Sequence, residues 1–317
     1  MAIKTRKVVI VGSGNVGSHC AFSLALQGFF DEIIMIDKIG KKANAEAVDL
    51  SDTISYIPHK VKVRKGDFKD CGDADIIVIS LGVPPEPDKS RLEFLEGTIK
   101  EVDIIIEPII NSGFNGIMIV ISNPVDVVSY YILKKTGFAK NKVFGTGTTL
   151  DSSRLKRILS NETGIDAKSI QGYTMGEHGD SQMVPWSHIS FGGKNVYELI
   201  EDGNKIFKNI DLDQLEHKTA QAAYEIIEGK GCTEFGIGVG LTEIVKTIFH
   251  DERKILPATT MLNGEYGQEN VFASVPCIIG INGIEEIVQI NLNAKEKQKF
   301  NNSCNVIREY INKAEQL

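Results

Sequence analysis

The sequence predicts an α/β protein in which a doubly wound, parallel sheet is followed by an α+β domain. Three features carry that expectation. Short β-branched apolar runs recur through the first 145 residues, they are continuous rather than alternating, and stretches of helical period separate them. A strand that is apolar at every position is covered on both faces, as in a parallel sheet flanked by helices.

The first run, residues 7–11, leads through Gly12-Ser13-Gly14-Asn15-Val16-Gly17 into a helix carrying Phe22, Leu24 and Leu26 that stops at Gly28. Further strands are expected at 33–36, 61–64, 75–80, 116–122 and 142–144, each closed by Gly, Asp or Ser or followed by a helical stretch. Six strands with intervening helices describe a doubly wound domain over residues 1–145. From residue 146 to 317 longer helices dominate, at 152–162, 213–228 and 238–249, with strand character near 270–283. The chain closes on a helix in which Phe300, Cys304, Ile307 and Ile311 recur at spacings of four, three and four. The second part is therefore expected to be one α+β domain packed on the first.

Composition narrows the function classes. With 35 basic against 42 acidic residues, and no block of like charge, the chain lacks the footprint that binds nucleic acid or anionic membranes. Five cysteines, scattered and never in a Cys-x-x-Cys pair, argue against a disulfide framework or a zinc site. The six histidines show no metal-ligand spacing such as His-Glu-x-x-His, so no metal is expected. Lys4, Arg6 and Lys7 before Val8-Val9-Ile10-Val11 imitate a signal peptide, but the apolar run is only four residues long. No run is long enough to cross a bilayer. A cytoplasmic protein is expected.

The glycine turn carries the first chemistry. Glycines at 12 and 14 let the chain turn tightly and let a pyrophosphate approach the backbone at a helix N-terminus, where free N–H groups favour anions. Asp37, twenty residues after Gly17 at the end of the second strand, can accept the ribose hydroxyls and would repel a 2′-phosphate. The order strand, glycine turn, helix, strand, Asp is the Rossmann arrangement for NAD, although Lys38, Lys41 and Lys42 weaken the case against NADP.

Three other clusters stay open on their residues alone. Asp151 and Arg154 share a helix face and could grip a carboxylate, yet by themselves read more simply as an N-terminal cap with an exposed ion pair. His178, between Gly176 and Gly179 in a polar stretch, is suited to proton exchange near neutral pH. The loop from Gly82 to Arg91 follows the fourth strand and is either a lid or a solvated turn, while Asn123 could face a ligand or cap the helix after Pro124. A hydrolase built on Ser181, His178 and Asp151 lacks a Gly-x-Ser-x-Gly elbow.

Taken together, the glycine turn, Ser122-Asn123-Pro124, Asp151 to Arg154, Gly176-Glu177-His178-Gly179-Asp180 and Lys230-Gly231-Cys232-Thr233 resemble the NAD-dependent L-lactate and malate dehydrogenases. The resemblance spans nearly the whole chain. It implies that His178 exchanges a proton with the substrate oxygen, that Asp151 holds the other imidazole nitrogen, and that Arg154 grips the substrate carboxylate. It further implies Arg91 on a closing lid as the group polarising the carbonyl, Asn123 orienting the substrate, and Thr233 and Ile237 lining the pocket. Contacts to NAD are implied for Gly12, Gly14, Asn15, Val16, Gly17, Asp37, Gly82, Ser122, Asn123 and Ile237. A dinucleotide-binding sensor without turnover would be expected to have lost His178, Arg154, Asp151 or Arg91, and all four are present.

Within the family the lid residue that selects substrate is Gln in most lactate enzymes and Arg in malate enzymes; here it is Pro85. Proline offers no charge, and an unpaired buried carboxylate costs about 3–5 kcal/mol, so oxaloacetate is disfavoured unless Lys89 swings inward. Pyruvate is the expected substrate, with the branched 2-oxo acids of the related L-2-hydroxyisocaproate dehydrogenases as the alternative. By the same resemblance the protein is a homotetramer, or a dimer. Lys156 and Gln171 stand where enzymes activated by fructose 1,6-bisphosphate carry Arg and His, so that activation is expected to be weak or absent.

Overall fold

A computed structural model describes residues 4–82 and 91–317 of the chain. Six parallel strands form the first part: β1 (Lys7–Val11), β2 (Glu32–Ile36), β3 (Lys62–Lys65), β4 (Ile76–Ile79), β5 (Ile117–Val120) and β6 (Val143–Gly145). They stand in the order β3-β2-β1-β4-β5-β6, with Val8 opposite both Ile33 and Ile76 and Met118 opposite Val143. The residues of β4 and β5 are buried throughout, as their continuous apolar character requires. Helices α1 (Asn15–Gln27), α2 (Gly40–Asp52), α3 (Arg91–Asn111) and α4 (Val125–Thr136) connect the strands. Helix α1 ends where Gly28 turns left-handed at φ 72°.

The second part supplies helices α5 (Thr149–Thr163), α6 (Val196–Glu201), α7 (Leu212–Lys230), α8 (Phe235–Phe249) and α9 (Ala294–Ala314). Its short strands β7 (Ile170–Gln171), β8 (Ser190–Phe191) and β9 (Lys194–Asn195) form a small sheet over a second core that includes Leu155, Trp186, Phe191 and Phe207. Helix α9 opens on a reciprocal Asn293–Glu296 capping box and buries Phe300, Cys304, Ile307 and Ile311, the predicted stripe.

The sequence ended the large sheet at its sixth strand; the structure extends it. Three antiparallel strands, β10 (Lys254–Asn263), β11 (Glu269–Gly280) and β12 (Gly283–Ile287), continue it to nine, joined where Thr259 of β10 stands opposite Gly145 of β6. A side chain on Gly145 would meet the Thr259 methyl at 2.5 Å, so glycine is what lets β10 reach that edge. Pro257 in β10 hides the strand from a pattern search, yet it faces Pro276 across the β10–β11 pair, where neither proline owes its partner an N–H.

Strand order reverses between β1 and β4, so the loops at the carboxyl ends of β1, β4 and β5 open a crevice. The candidate residues gather beside it.

Candidate active site

The glycine turn joins β1 to α1. A side chain at Gly12 (φ 100°) would meet the Ser80 carbonyl at 2.1 Å, and one at Gly17 would meet the Gly12 carbonyl at 1.9 Å, so both are demanded by the turn itself. Gly14 differs: among the described residues nothing lies within 4 Å of the place a side chain would take, leaving an open cradle that a Cβ would fill. It caps α1 without a side-chain hydrogen bond, so the N–H groups of Asn15, Val16 and Gly17 have no capping group over them. Asp37 at the end of β2 accepts from the Ser13 and Ile39 main chain at 2.8 Å, which fixes its carboxylate beside the turn. These residues fit a dinucleotide, with pyrophosphate over Gly14 and ribose against Asp37.

Ser122 closes β5 with its hydroxyl engaged by the main chain, accepting from Leu81 at 2.6 Å and donating to the Ile79 carbonyl at 3.2 Å. It ties together the ends of β4 and β5 beside the crevice. Gly82 follows Leu81, and among the described residues nothing lies within 4 Å of the place a side chain would take on it. Pro85 and the side chain of Arg91 lie outside the described residues; the backbone of Arg91 begins α3.

A cavity of about 460 Å³ adjoins the crevice. Asn123, Asp126, Asp151, Arg154, His178 and Thr233 line it. Thr233 follows Cys232, whose sulfur lies 3.6 Å from the Asn15 amide of the glycine turn, which brings this wall to the cofactor loop. Asn123 is exposed to the cavity and caps nothing, since Pro124 occupies the N-cap of α4. Ile237, in the first turn of α8, is buried in the main core and is not among the described residues that line the cavity.

Asp151 lies in the first turn of α5, one turn before Arg154, and neither is exposed in the way a capping pair would be: they are 1% and 7% accessible. Asp151 Oδ1 accepts from Arg154 Nη1 at 2.8 Å while Oδ2 meets His178 Nδ1 at 2.5 Å. One carboxylate thus bridges the guanidinium and the imidazole. Arg154 Nε has no partner among the described residues, so a buried cation keeps donor capacity beside the cavity. Such a fork suits a carboxylate.

His178 owes its place to long-range contacts. Gly176 bridges Ser274 of β11, Glu177 N–H donates to the Ser303 hydroxyl of α9 at 2.7 Å, and His178 N–H donates to Asp126 Oδ2 at 2.9 Å. The Glu177 carboxylate accepts from the Ser181 hydroxyl at 2.5 Å, closing the loop on itself. Burial disfavours the charged imidazole, but Asp151 outweighs it and holds His178 above its ordinary pKa. Burial also opposes ionisation of Asp151; its contacts with His178 and Arg154 win and keep it below the usual carboxylate range.

Sequence reasoning missed part of the wall. Asp126 was not singled out, nor were Ala220, Ala223, Tyr224 and Ile227 of α7, and Ile307 was read only as core. The Asp126 side chain could have been flagged as the only charged residue in the apolar first turn after Asn123-Pro124, and the alanines as the small residues of α7.

The comparisons agree with this geometry. Residues 6–145 match the family model of the lactate/malate dehydrogenase NAD binding domain, and residues 148–317 match that of the lactate/malate dehydrogenase alpha/beta C-terminal domain. The chain is 45% identical over 309 residues to an L-lactate dehydrogenase of Fusobacterium nucleatum, covering 98% of this chain and 97% of the relative. It is 43% identical over 311 residues to L-lactate dehydrogenase 2 of Lactococcus lactis, covering 98% and 99%. The crystal structure of the minor L-lactate dehydrogenase of Enterococcus mundtii in its ligands-bound form superimposes with a TM-score of 0.95 at 38% identity, covering 98% of each chain. The chain belongs to the lactate/malate dehydrogenase family and is an NAD-dependent oxidoreductase of 2-hydroxy acids.

Proposed function

We propose that the protein is an L-lactate dehydrogenase that interconverts pyruvate and L-lactate. The observation that carries this reading is the buried Arg154–Asp151–His178 chain facing a cavity beside the dinucleotide turn. NADH, when bound, supplies the hydride that the carbonyl carbon accepts. Arg154 anchors the substrate carboxylate through donors that the protein leaves unfilled, which orients the carbonyl. His178 has its Nδ1 tied to Asp151, so Nε2 is the atom that gives a proton to the carbonyl oxygen and takes it back in lactate oxidation. Asp151 fixes that tautomer and stabilises the imidazolium. Asn123 orients the substrate from the crevice side, and Arg91 polarises the carbonyl, as its place in the family pattern implies.

The alanines of α7 together with Ile227 and Ile307 present an apolar wall that suits a methyl group better than a second carboxylate. The same wall keeps branched 2-oxo acids as the second reading. In this assignment residues 1–145 hold NAD and residues 146–317 hold the substrate. The site works in a cytoplasmic homotetramer, or a dimer; in support of association, Phe235 and Val239 of α8 stand 67% and 66% exposed, and α1, which packs against α8, exposes Phe22 and Leu26. No helix among the described residues is long and apolar enough to cross a membrane.

The test is turnover of purified protein with NADH, comparing kcat/KM for pyruvate, 2-oxoisocaproate and oxaloacetate. Pyruvate should lead oxaloacetate by about two to three powers of ten. A lead for 2-oxoisocaproate would assign the branched substrates instead, and a lead for oxaloacetate would overturn both readings.

A further inference from the structure

A second carboxyl group sits against the catalytic histidine. Asp126, in the first turn of α4, is 2% accessible and lines the cavity. Its Oδ2 accepts the His178 main-chain N–H at 2.9 Å, whereas Oδ1 has no partner of good hydrogen-bond geometry among the described residues. Thr259 of β10 is buried beside it, with its hydroxyl placed to serve the Asp126 carboxylate as donor. A buried carboxylate served by one main-chain N–H and one hydroxyl is thinly provided for a full charge, so burial makes it a seat that a proton can occupy.

Among the described residues the charges around this seat are few. His178 and Glu177 face it from the loop, Asp151 and Arg154 share the cavity from α5, and the Cys304 thiol approaches from α9, held neutral by burial that pushes it up to about 12. Burial pushes the Asp126 carboxyl up to about 7, opposed by Thr259 and His178. Asp126 therefore gains its charge over the same pH range in which an ordinary imidazole loses its own. An ionised Asp126 favours the imidazolium; a neutral one does not.

We propose that Asp126 is a positioning residue for the proton transfer: it seats the His178 backbone, and its charge strengthens the imidazole's hold on its proton as the pH rises. Pyruvate reduction, which needs the imidazolium, is thereby carried to higher pH than His178 and Asp151 alone would allow. The inference rests on His178 being the proton carrier.

The test is the pH profile of kcat/KM for pyruvate in Asp126→Asn. Asparagine can still accept from His178 N–H and can donate to Thr259, so the seat is kept and only the charge is lost. The falling limb should move to lower pH, with a loss of about three- to tenfold at the alkaline end and none at the acid end, where Asp126 is already protonated. Thr259→Val removes the hydroxyl that helps the carboxylate ionise, and should move the limb the same way by less. Asp126→Ala loses the seat as well and should be slower at every pH, with Asn restoring the acid-side rate. His178→Ala is measured alongside. Dead His178→Ala protein with unmoved limbs in Asp126→Asn and Thr259→Val would overturn the role of Asp126 alone; an active His178→Ala protein would overturn it together with the assignment of His178. An equal fractional loss at every pH in Asp126→Asn would mean a purely structural role and would also overturn the inference.

Discussion

Asp151→Asn is the perturbation that tests the site most directly. The carboxylate is buried and serves two cationic partners at once, Arg154 Nη1 at 2.8 Å and His178 Nδ1 at 2.5 Å. A hydrogen bond to a charged group contributes about 1.5–3 kcal/mol, so removing the charge from two of them costs about 3–6 kcal/mol. At about 1.4 kcal/mol per tenfold, that is a loss of two to four powers of ten in kcat/KM for pyruvate. Asparagine also presents the imidazole with either an oxygen or an N–H, which no longer selects the tautomer that leaves Nε2 to carry the transferred proton. The sign of the pH effect follows from the same geometry. Asp151 raises the His178 pKa, so its loss lowers it, and pyruvate reduction should fail at lower pH than in the wild type while lactate oxidation sets in earlier. The assay is NADH absorbance across pH, with NADH binding followed by fluorescence to show that the glycine turn is intact. Activity within tenfold of wild type and an unmoved profile, with NADH still bound, would refute the bridging role.

Three further outcomes are expected. His178→Ala should abolish turnover and spare NADH binding, checked by the same pair of measurements; retained turnover would remove His178 from the proton step. Arg154→Lys replaces a planar fork with a point charge in a 7% accessible site, so the pyruvate half-saturation should rise sharply while kcat falls less; an unchanged half-saturation would count against the carboxylate grip. Fructose 1,6-bisphosphate should leave the pyruvate half-saturation nearly unchanged, because Gln171 brings no cation and Lys156, lowered in pKa by burial and by Lys254, lies 5.9 Å over the Tyr173 ring. A large drop in half-saturation on adding it would show that reading wrong.

What the sequence by itself determined is local or repetitive. Continuous β-branched runs dictate strands buried on both faces, and the glycine turn before Asp37 dictates a dinucleotide site, because strand burial and anion approach depend on residues a few positions apart. Asp151 and Arg154 were placed on one helix face by a spacing of three, yet the residues alone pointed to an exposed cap. Only the tertiary structure decided otherwise, since the packing of α5 against α7 and the His178 loop is what turns that pair into a buried charged seat. The same holds for the place of the last three strands in the large sheet: strand character near 270–283 is legible in the sequence, but joining the sheet depends on β10 finding the open edge at Gly145. It holds for His178, fixed by hydrogen bonds that span 52 residues to Asp126 and, through Glu177, 126 residues to Ser303. Spacing along the chain carries no information about such distances; burial and hydrogen-bond satisfaction, which the whole fold must solve together, set them.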